Sequence, residues 1–351
     1  MKKILILFGI ILLLSGCYDY VEINDLVIIS GMLIDYKDDK YEITSQVIEN
    51  EDKTRIKTYT TTCYSTDECI YEISNLSNKD IFISHMKVLI LTESAIKNSD
   101  NFIDYFLRDT KSKMNFYVYY VEDKYKKDIL NIYEDEGSSF YLKDLIEFNN
   151  KIFSSSTPIS FLDLVYKKTE FGIEPIYPNI QIINNNDKKN IYLNGLVAFN
   201  KNKKILLDDN NSISLNIITN KLNKTIITIP CENDYFSLIV NNSKTKYNWK
   251  DNNFIFDISL STKINSCNCK YDLNNPKDID KLSRIANEHI KKDISNLINI
   301  SKDNNIDFIG ITSYIYKHSR NKYEIKDINT IININTKINS IGEIRKWKMK
   351  K

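Results

Sequence analysis

Leu26-Val27-Ile28-Ile29-Ser30-Gly31-Met32-Leu33-Ile34-Asp35-Tyr36, then Lys37-Asp38-Asp39-Lys40, then Tyr41 to Ile48 make up the stretch from which the fold is read. The first run is apolar almost without a break and predicts a buried strand. The second run predicts another strand, and the four polar residues between them are a turn signal, so the pair reads as a hairpin.

Outward from this hairpin, strands and helices alternate. Thr66 to Leu76 places Ile70, Ile73 and Leu76 on one helical face. Val88 to Leu91 reads as a short buried strand. Ser94 opens a helix that carries Ile96, Phe102, Ile103 and Phe106. Phe116 to Val121 is a strand, and Lys124 to Tyr133 and Tyr141 to Phe153 read as helices. This order predicts layered α+β or α/β architecture. Pro158, Pro175 and Pro178 precede a strand at Ile180 to Ile183, and the polar cluster Asn184 to Lys189 reads as a loop and a domain boundary.

Beyond the boundary, Ile191 to Phe199, Thr225 to Ile229, Tyr235 to Val240 and Phe254 to Leu260 read as strands. Phe254, Phe256, Ile258 and Leu260 alternate with mostly polar neighbours, the mark of a half-buried face. Asn275-Pro276-Lys277-Asp278 then supplies a cap and a first-turn proline. Ile279, Leu282, Ile285, Ile290, Ile294 and Leu297 keep helical spacing to Ser301, and a final strand spans Ile331 to Ile338. The second half thus reads as α+β. No internal repeat is present.

A length of 351 residues fits about two domains. With 42% hydrophobic and 27% charged residues, whole-chain disorder is excluded. Lys+Arg is 48 and Asp+Glu is 46, a balance that leaves no electrostatic footprint for nucleic acid. Only 8 Gly and 5 Pro argue against glycine-rich phosphate loops and proline-rich linkers. Asn is abundant while Ala occurs only at Ala95, Ala198 and Ala286; this bias fits an AT-rich genome and weakens any single Asn as a turn signal.

Met1-Lys2-Lys3 is a cationic start, and Ile4 to Leu14 is an apolar run of eleven residues. That run is too short for a membrane-spanning helix, which needs about twenty residues, and it fits the core of a signal peptide. The ending Leu14-Ser15-Gly16-Cys17 resembles the bacterial lipobox. Residues 1–16 are therefore expected to be removed, and Cys17 to carry a thioether-linked diacylglyceryl group and an N-acyl chain.

The five remaining cysteines, Cys63, Cys69, Cys231, Cys267 and Cys269, are odd in number, which excludes a complete disulfide framework. Cys63 and Cys69 can bridge in an oxidising exterior or remain buried thiols. Cys267-Asn268-Cys269 lacks the further ligands that zinc requires, and no metal or cofactor is expected. The three histidines, His85, His289 and His318, stand in no recognisable catalytic motif. The acidic groups Asp38-Asp39, Glu134-Asp135-Glu136 and Asp208-Asp209 read as solvated loop charge.

Cys17-Tyr18-Asp19-Tyr20-Val21-Glu22-Ile23-Asn24 resembles the start of the Ger(x)C family of spore germination lipoproteins, whose members show C-W-D, two variable residues, then E-I-N. Tyr18 stands where that family has Trp. Gly31 and Asp35 fit its G-x-x-x-D, Thr44-Ser45-Gln46 its T-x-Q, and His85 with Glu93-Ser94-Ala95 its H…E-x-x-A. Phe106-Leu107-Arg108-Asp109 resembles its F-x-R-D, and Gly195-Leu196-Val197-Ala198-Phe199 the strand that opens its C-terminal domain. Asp307-Phe308-Ile309-Gly310 and a last strand ending at Gly342 follow in order. The tryptophans common in that C-terminal domain are missing here.

The resemblance implies the C subunit of a nutrient germinant receptor, working with a polytopic B subunit and a membrane-associated A subunit in the spore inner membrane. It implies a non-enzymatic lipoprotein on the outer face of that membrane, required for the germination response. It also implies successive α+β domains, each a mostly antiparallel or mixed sheet flanked by helices. The expected division is a signal peptide at 1–16, an N-terminal region at 17–189 and a C-terminal domain at 190–351, with a third domain split near 158–178 as a variant. Whether this subunit contacts the germinant stays open. Two other readings fit a lipid-anchored chain. A solute-binding lipoprotein requires a deep cleft between two α/β lobes. An envelope hydrolase requires a convergent acid/base or nucleophile cluster.

Overall fold

The computed structural model describes residues 25–50, 54–133, 135–186, 188–200 and 203–340. Strand β1 (Leu26–Lys37) and β2 (Lys40–Asn50) form the expected hairpin, in register from Val27↔Glu49 to Lys37↔Lys40 with a bulge near Gly31. Asp38 and Asp39 take φ of 51° and 59°, the left-handed pair of a two-residue turn whose twist suits the strands it joins. Next come β3 (Thr54–Cys63), helix α1 (Thr66–Ser77), β4 (Asp80–Phe82), β5 (Val88–Leu91), α2 (Glu93–Lys97), α3 (Asp100–Arg108) and β6 (Tyr117–Val121). Helices α4 (Ser138–Ile152) and α5 (Phe161–Thr169) precede β7 (Ile176–Asn185), β8 (Lys188–Asn200) and β9 (Lys203–Leu207).

These strands build one mixed sheet in the order β3-β2-β1-β5-β6-β7-β8-β9, with β4 beside the start of β1. Strands β1, β5, β6 and β7 run parallel. Period-two alternation splits the sheet between two cores. Met32, Ile34, Leu89, Leu91, Val118 and Tyr120 meet Ile70, Ile73, Phe102, Phe106, Phe161 and Leu164 from α1, α3 and α5. Leu33, Val88, Ile90, Tyr119 and Val121 meet Leu142 and Ile146 of α4 on the opposite face. Both faces are covered, so β1 reads as continuously apolar.

Helix α6 (Asp209–Ile218) leads to a second sheet of β10 (Thr225–Cys231), β11 (Asp234–Lys250), β12 (Asn253–Cys267) and β13 (Asn329–Ser340), in that order. Strands β10 to β12 are antiparallel, and β13 lies parallel to β12. Between them run α7 (Pro276–Asp303) and α8 (Ile311–Ser319). Helix α7 starts as its sequence demands: the Asn275 side chain accepts from Lys277 N, and Pro276 occupies the first turn. Its Ile290, Ile294 and Leu297 pack in the same core as Phe254, Phe256, Ile258 and Leu260 of β12. That core also takes in Leu196 and Ala198 of β8, Ile205 and Leu207 of β9 and Leu215 of α6, so the two sheets share apolar packing. The α+β expectation holds.

Several local expectations change. Lys124 to Tyr133 forms no regular helix: a single 3-10 turn at Asp123–Tyr125 gives way to irregular turns. Tertiary contacts override its helical spacing, because Ile129 and Leu130 are buried, Leu130 O accepts from Gln46 Nε2 at 2.6 Å, and Lys126 is drawn to Asp35. The helix expected to open at Ser94 is two helices, α2 and α3, broken at Asn98-Ser99. Most of the polar cluster 184–189 is strand, since β7 ends at Asn185 and β8 starts at Lys188, so the first sheet continues across it from Ile176↔Ala198 to Asn185↔Lys188. Of the two states open to Cys63 and Cys69, the buried-thiol reading holds: both are free and buried. The disulfide joins Cys231 to Cys269 with a Cα–Cα distance of 6.1 Å, and Cys267 is free.

Candidate functional site

Cys17 lies outside the described residues. The described chain begins at Asp25 and enters β1 at Leu26. Seven residues lie between Cys17 and Asp25, so eight Cα–Cα steps bound their reach at about 28 Å.

The histidines sit on three separate elements. His85 is exposed, with its ring 5.4 Å from that of Phe82. His289 Nε2 is 3.5 Å from Asp293 Oδ2 on α7. His318 stacks on Tyr314 near the end of α8, with Nδ1 2.8 Å from Tyr314 O. Among the described residues no group of three His, Cys, Asp or Glu side chains is arranged to hold a metal ion.

The motif residues of the hairpin form a polar stitch beneath α4. Gln46 Nε2 donates to Leu130 O, and Ser139 N donates to Gln46 Oε1 at 2.9 Å. Ser139 Oγ donates to Ser30 Oγ at 2.9 Å, and Ser30 Oγ donates to Gln46 O at 3.1 Å. Gly31 lets α4 approach: a Cβ there would lie 2.7 Å from Ser139 Cβ. At the far end of β1, Asp35 accepts from Thr92 Oγ1 and Ser94 Oγ, each at 2.6 Å, and pairs with Lys126. Burial alone would raise the Asp35 carboxyl, but Lys126 and the two hydroxyls outweigh it and hold the pKa at about 2. Phe106 of the F-x-R-D segment is core, while Arg108 pairs with Asp104 on the surface.

In the second half, Asp307 accepts from Ile309 N at 3.1 Å, Gly310 N at 2.7 Å, Thr312 N at 2.6 Å and Thr312 Oγ1 at 2.9 Å. It thereby caps the start of α8. Asp307 N donates to Glu174 Oε2 at 2.6 Å, and Glu174 N returns a bond to Asp307 O at 2.9 Å. Burial pushes both carboxyls up from their ordinary values, and the Asp307 charge adds to the rise of Glu174.

Two concavities flank these elements. A cleft of about 910 Å³ lies along the seam between the α5–β7 connection and the Asp307 and Tyr323–Ile325 segments. An apolar groove of about 570 Å³ runs between Phe148 and Phe153 at the end of α4 and Ile213 and Ile226 of α6 and β10, with Tyr192 and Leu193 of β8 along it. Phe148 is 57% exposed, Phe153 48% and Ile226 47%, and Asp209 is the one charged residue along this groove. Large exposed aromatics gathered in a concave patch suit a protein partner. Of these features the sequence disclosed Gly31, Asp35, Gln46 and Asp307 as motif positions. It disclosed neither concavity, since each is assembled from segments far apart in the chain.

The structure defines an α+β chain whose polar motif residues bind its own elements together and whose surface offers recesses for binding. Residues 19–182 match the spore germination protein N-terminal domain, and residues 194–342 match the spore germination B3/GerAC-like C-terminal domain. Residues 1–17 match the prokaryotic membrane lipoprotein lipid attachment site. The chain belongs to the GerAC-like family of spore germinant receptor C subunits. It is 23% identical over 353 residues to spore germination protein KC of Bacillus subtilis (strain 168), a match covering 90% of this chain and 86% of that protein. It is 31% identical over 166 residues to spore germination protein A3 of the same organism, covering 43% of each. The crystal structure of the GerBC protein shares the fold at a TM-score of 0.53 and 14% identity, covering 88% of this chain and 97% of that one.

Proposed function

We propose that this chain is the lipid-anchored, non-catalytic subunit of a spore nutrient germinant receptor. In this reading acylated Cys17 holds it at the outer face of the spore inner membrane, beside the A and B subunits. One observation carries the reading: the lipid-attachment match ends at residue 17 and the germination-domain match begins at residue 19. Tethering confines the folded chain to the membrane surface and raises its effective concentration near membrane partners. The exposed aromatic groove at Phe148 and Phe153 supports an assembly role. A non-catalytic role is supported by the engagement of Asp35, Gln46 and Asp307 in holding their own elements. We read the division at 189/190 as one of family modules, in keeping with matches that end at 182 and resume at 194, while strand pairing runs across it in one sheet.

Cys17→Ala tests the tether. The variant is expected to leave the membrane fraction of spores and to lose the germination response, with sporulation and heat resistance unchanged. Membrane retention together with a normal response would overturn the reading.

A further inference from the structure

The seam cleft contains two hydrogen-bond donors without acceptors. Tyr177 lines it from β7; its side chain is fully buried and its hydroxyl has no hydrogen-bond partner among the described residues. Lys167 lines it from α5, and among the described residues its ammonium forms no hydrogen bond or ion pair; the charges of Asp163 and Asp307 act on it only from beyond contact distance. The neighbouring cations are placed differently. Lys97 pairs with Glu93 at 2.8 Å, and Lys168 donates to Ile96 O at 3.5 Å. The acids of the cleft are also engaged. Glu170 lies 3.4 Å from Lys317, Glu174 takes Asp307 N, and Asp307 takes four donors from the start of α8. Glu324, the fourth acid of the lining, lies 2.7 Å from Lys326. Among the described residues the cleft therefore presents two donors without acceptors, while each of its carboxylates has a partner.

We propose that the seam cleft binds a small organic carboxylate, whose oxygens accept from the Lys167 ammonium and the Tyr177 hydroxyl. Ile173, Pro175, Phe199 and Ile325 give the same cleft apolar wall, which suits an aliphatic or aromatic body on the ligand. A volume of about 910 Å³ is ample for a molecule of amino-acid size, and a seam between two packed units is a common place for such sites. The electrostatics agree. Burial, then Lys221, pull the Lys167 ammonium down to about 7, against Asp163 and Asp307. A bound carboxylate restores its charge, so binding is tighter in mild acid than in mild base. The site is independent of the membrane tether.

Calorimetry on the detergent-solubilised full chain tests this with three probes: isocaproate (carboxylate only), L-leucine (carboxylate and amine) and L-leucinamide (amine only). Isocaproate or L-leucine is expected to bind, and L-leucinamide is not. Lys167→Met should weaken binding at least about tenfold while the melting temperature stays level, since the ammonium has no protein partner to lose. Lys167→Gln serves if the Met variant fails to fold. Tyr177→Phe should weaken binding by a smaller factor at unchanged melting temperature. Absence of binding by both carboxylates up to about 10 mM overturns the proposal. So does equal binding of L-leucinamide, or unchanged affinity in the Lys167 variants. A Tyr177→Phe chain that melts lower but binds equally well removes the hydroxyl from the site.

Discussion

The two sheets solve the same burial problem differently. The first is covered on both faces, by α1, α3 and α5 on one side and α4 on the other, and its central strands are apolar at nearly every position. The second is covered chiefly on one face. Along β12 the buried Phe256, Ile258 and Leu260 alternate with the exposed Asp257 and Ser259. Its edge strand β10 is further secured by the Cys231–Cys269 disulfide, beside a small satellite core of Ile229, Phe236, Leu238, Leu282 and Ala286. Where two layers of helix supply enough apolar contact, packing suffices; where one layer does, a covalent link adds to it.

The largest expected effect tests the two-sided core. Phe106 packs against Phe116 and Phe161 at ring distances of 5.2 and 5.4 Å. Phe106→Ala should destabilise by about 3–5 kcal/mol in urea titrations, whereas Ser259→Ala on the open face should stay within about 0.5 kcal/mol. Equal losses at the two positions would break the comparison. Next in size is the disulfide, which closes a loop with a sequence separation of 38. Replacing both Cys231 and Cys269 by Ser should cost about 2–4 kcal/mol. Because both sheets contribute to one shared core, the thermal melt should remain a single transition at lower temperature. A split melt, with one phase unmoved, would mean that the sheets unfold separately.

A smaller effect sharpens the contrast at the rim of the first sheet. Asp35 has its folded pKa depressed from 3.8 to about 2 by Lys126, Ser94 and Thr92 acting against burial. A depressed carboxylate stabilises the fold fully above its unfolded pKa, and that stability is lost as pH falls through the folded value. The wild type should therefore lose about 2 kcal/mol between about pH 5 and pH 2 from this group. Asp35→Asn should remove that part of the acid dependence while being less stable at neutral pH, because Lys126 keeps only the more distant Glu42 carboxylate at 3.9 Å. Identical acid profiles for the two chains would remove Asp35 from the account.

The same contrast explains what the sequence disclosed. The β1–β2 hairpin and α7 were legible because their apolar spacing has one strong period and their turn and cap residues agree with it. Strand β3 escaped because it is a polar edge strand, rich in Thr, with Arg55, Lys57, Thr60 and Thr62 exposed. Helix α6 escaped because Asp209-Asn210-Asn211-Ser212-Ile213-Ser214 has no apolar stripe; the Asp208 side chain accepting from Asn211 N was its only local signal. The seam cleft was beyond reach of spacing. Its Glu174–Asp307 link crosses 133 residues of sequence, and the missing partners of Lys167 and Tyr177 become visible only in space. The stitch residues Gly31, Asp35 and Gln46 were legible as positions, and the fold turned each into a contact.

The place where the described chain enters the fold has a mechanical consequence. Strand β1 is held on one side by β2 and on the other by β4 and β5, so it is interior from its first residues. A pull applied at Leu26 along the strand loads those ladders in shear, and many hydrogen bonds resist together instead of opening one after another. An edge strand such as β3 or β10, drawn sideways, would unzip bond by bond. Force arriving from the N-terminal side is therefore delivered to a strand paired on both sides and shared with the sheet around it.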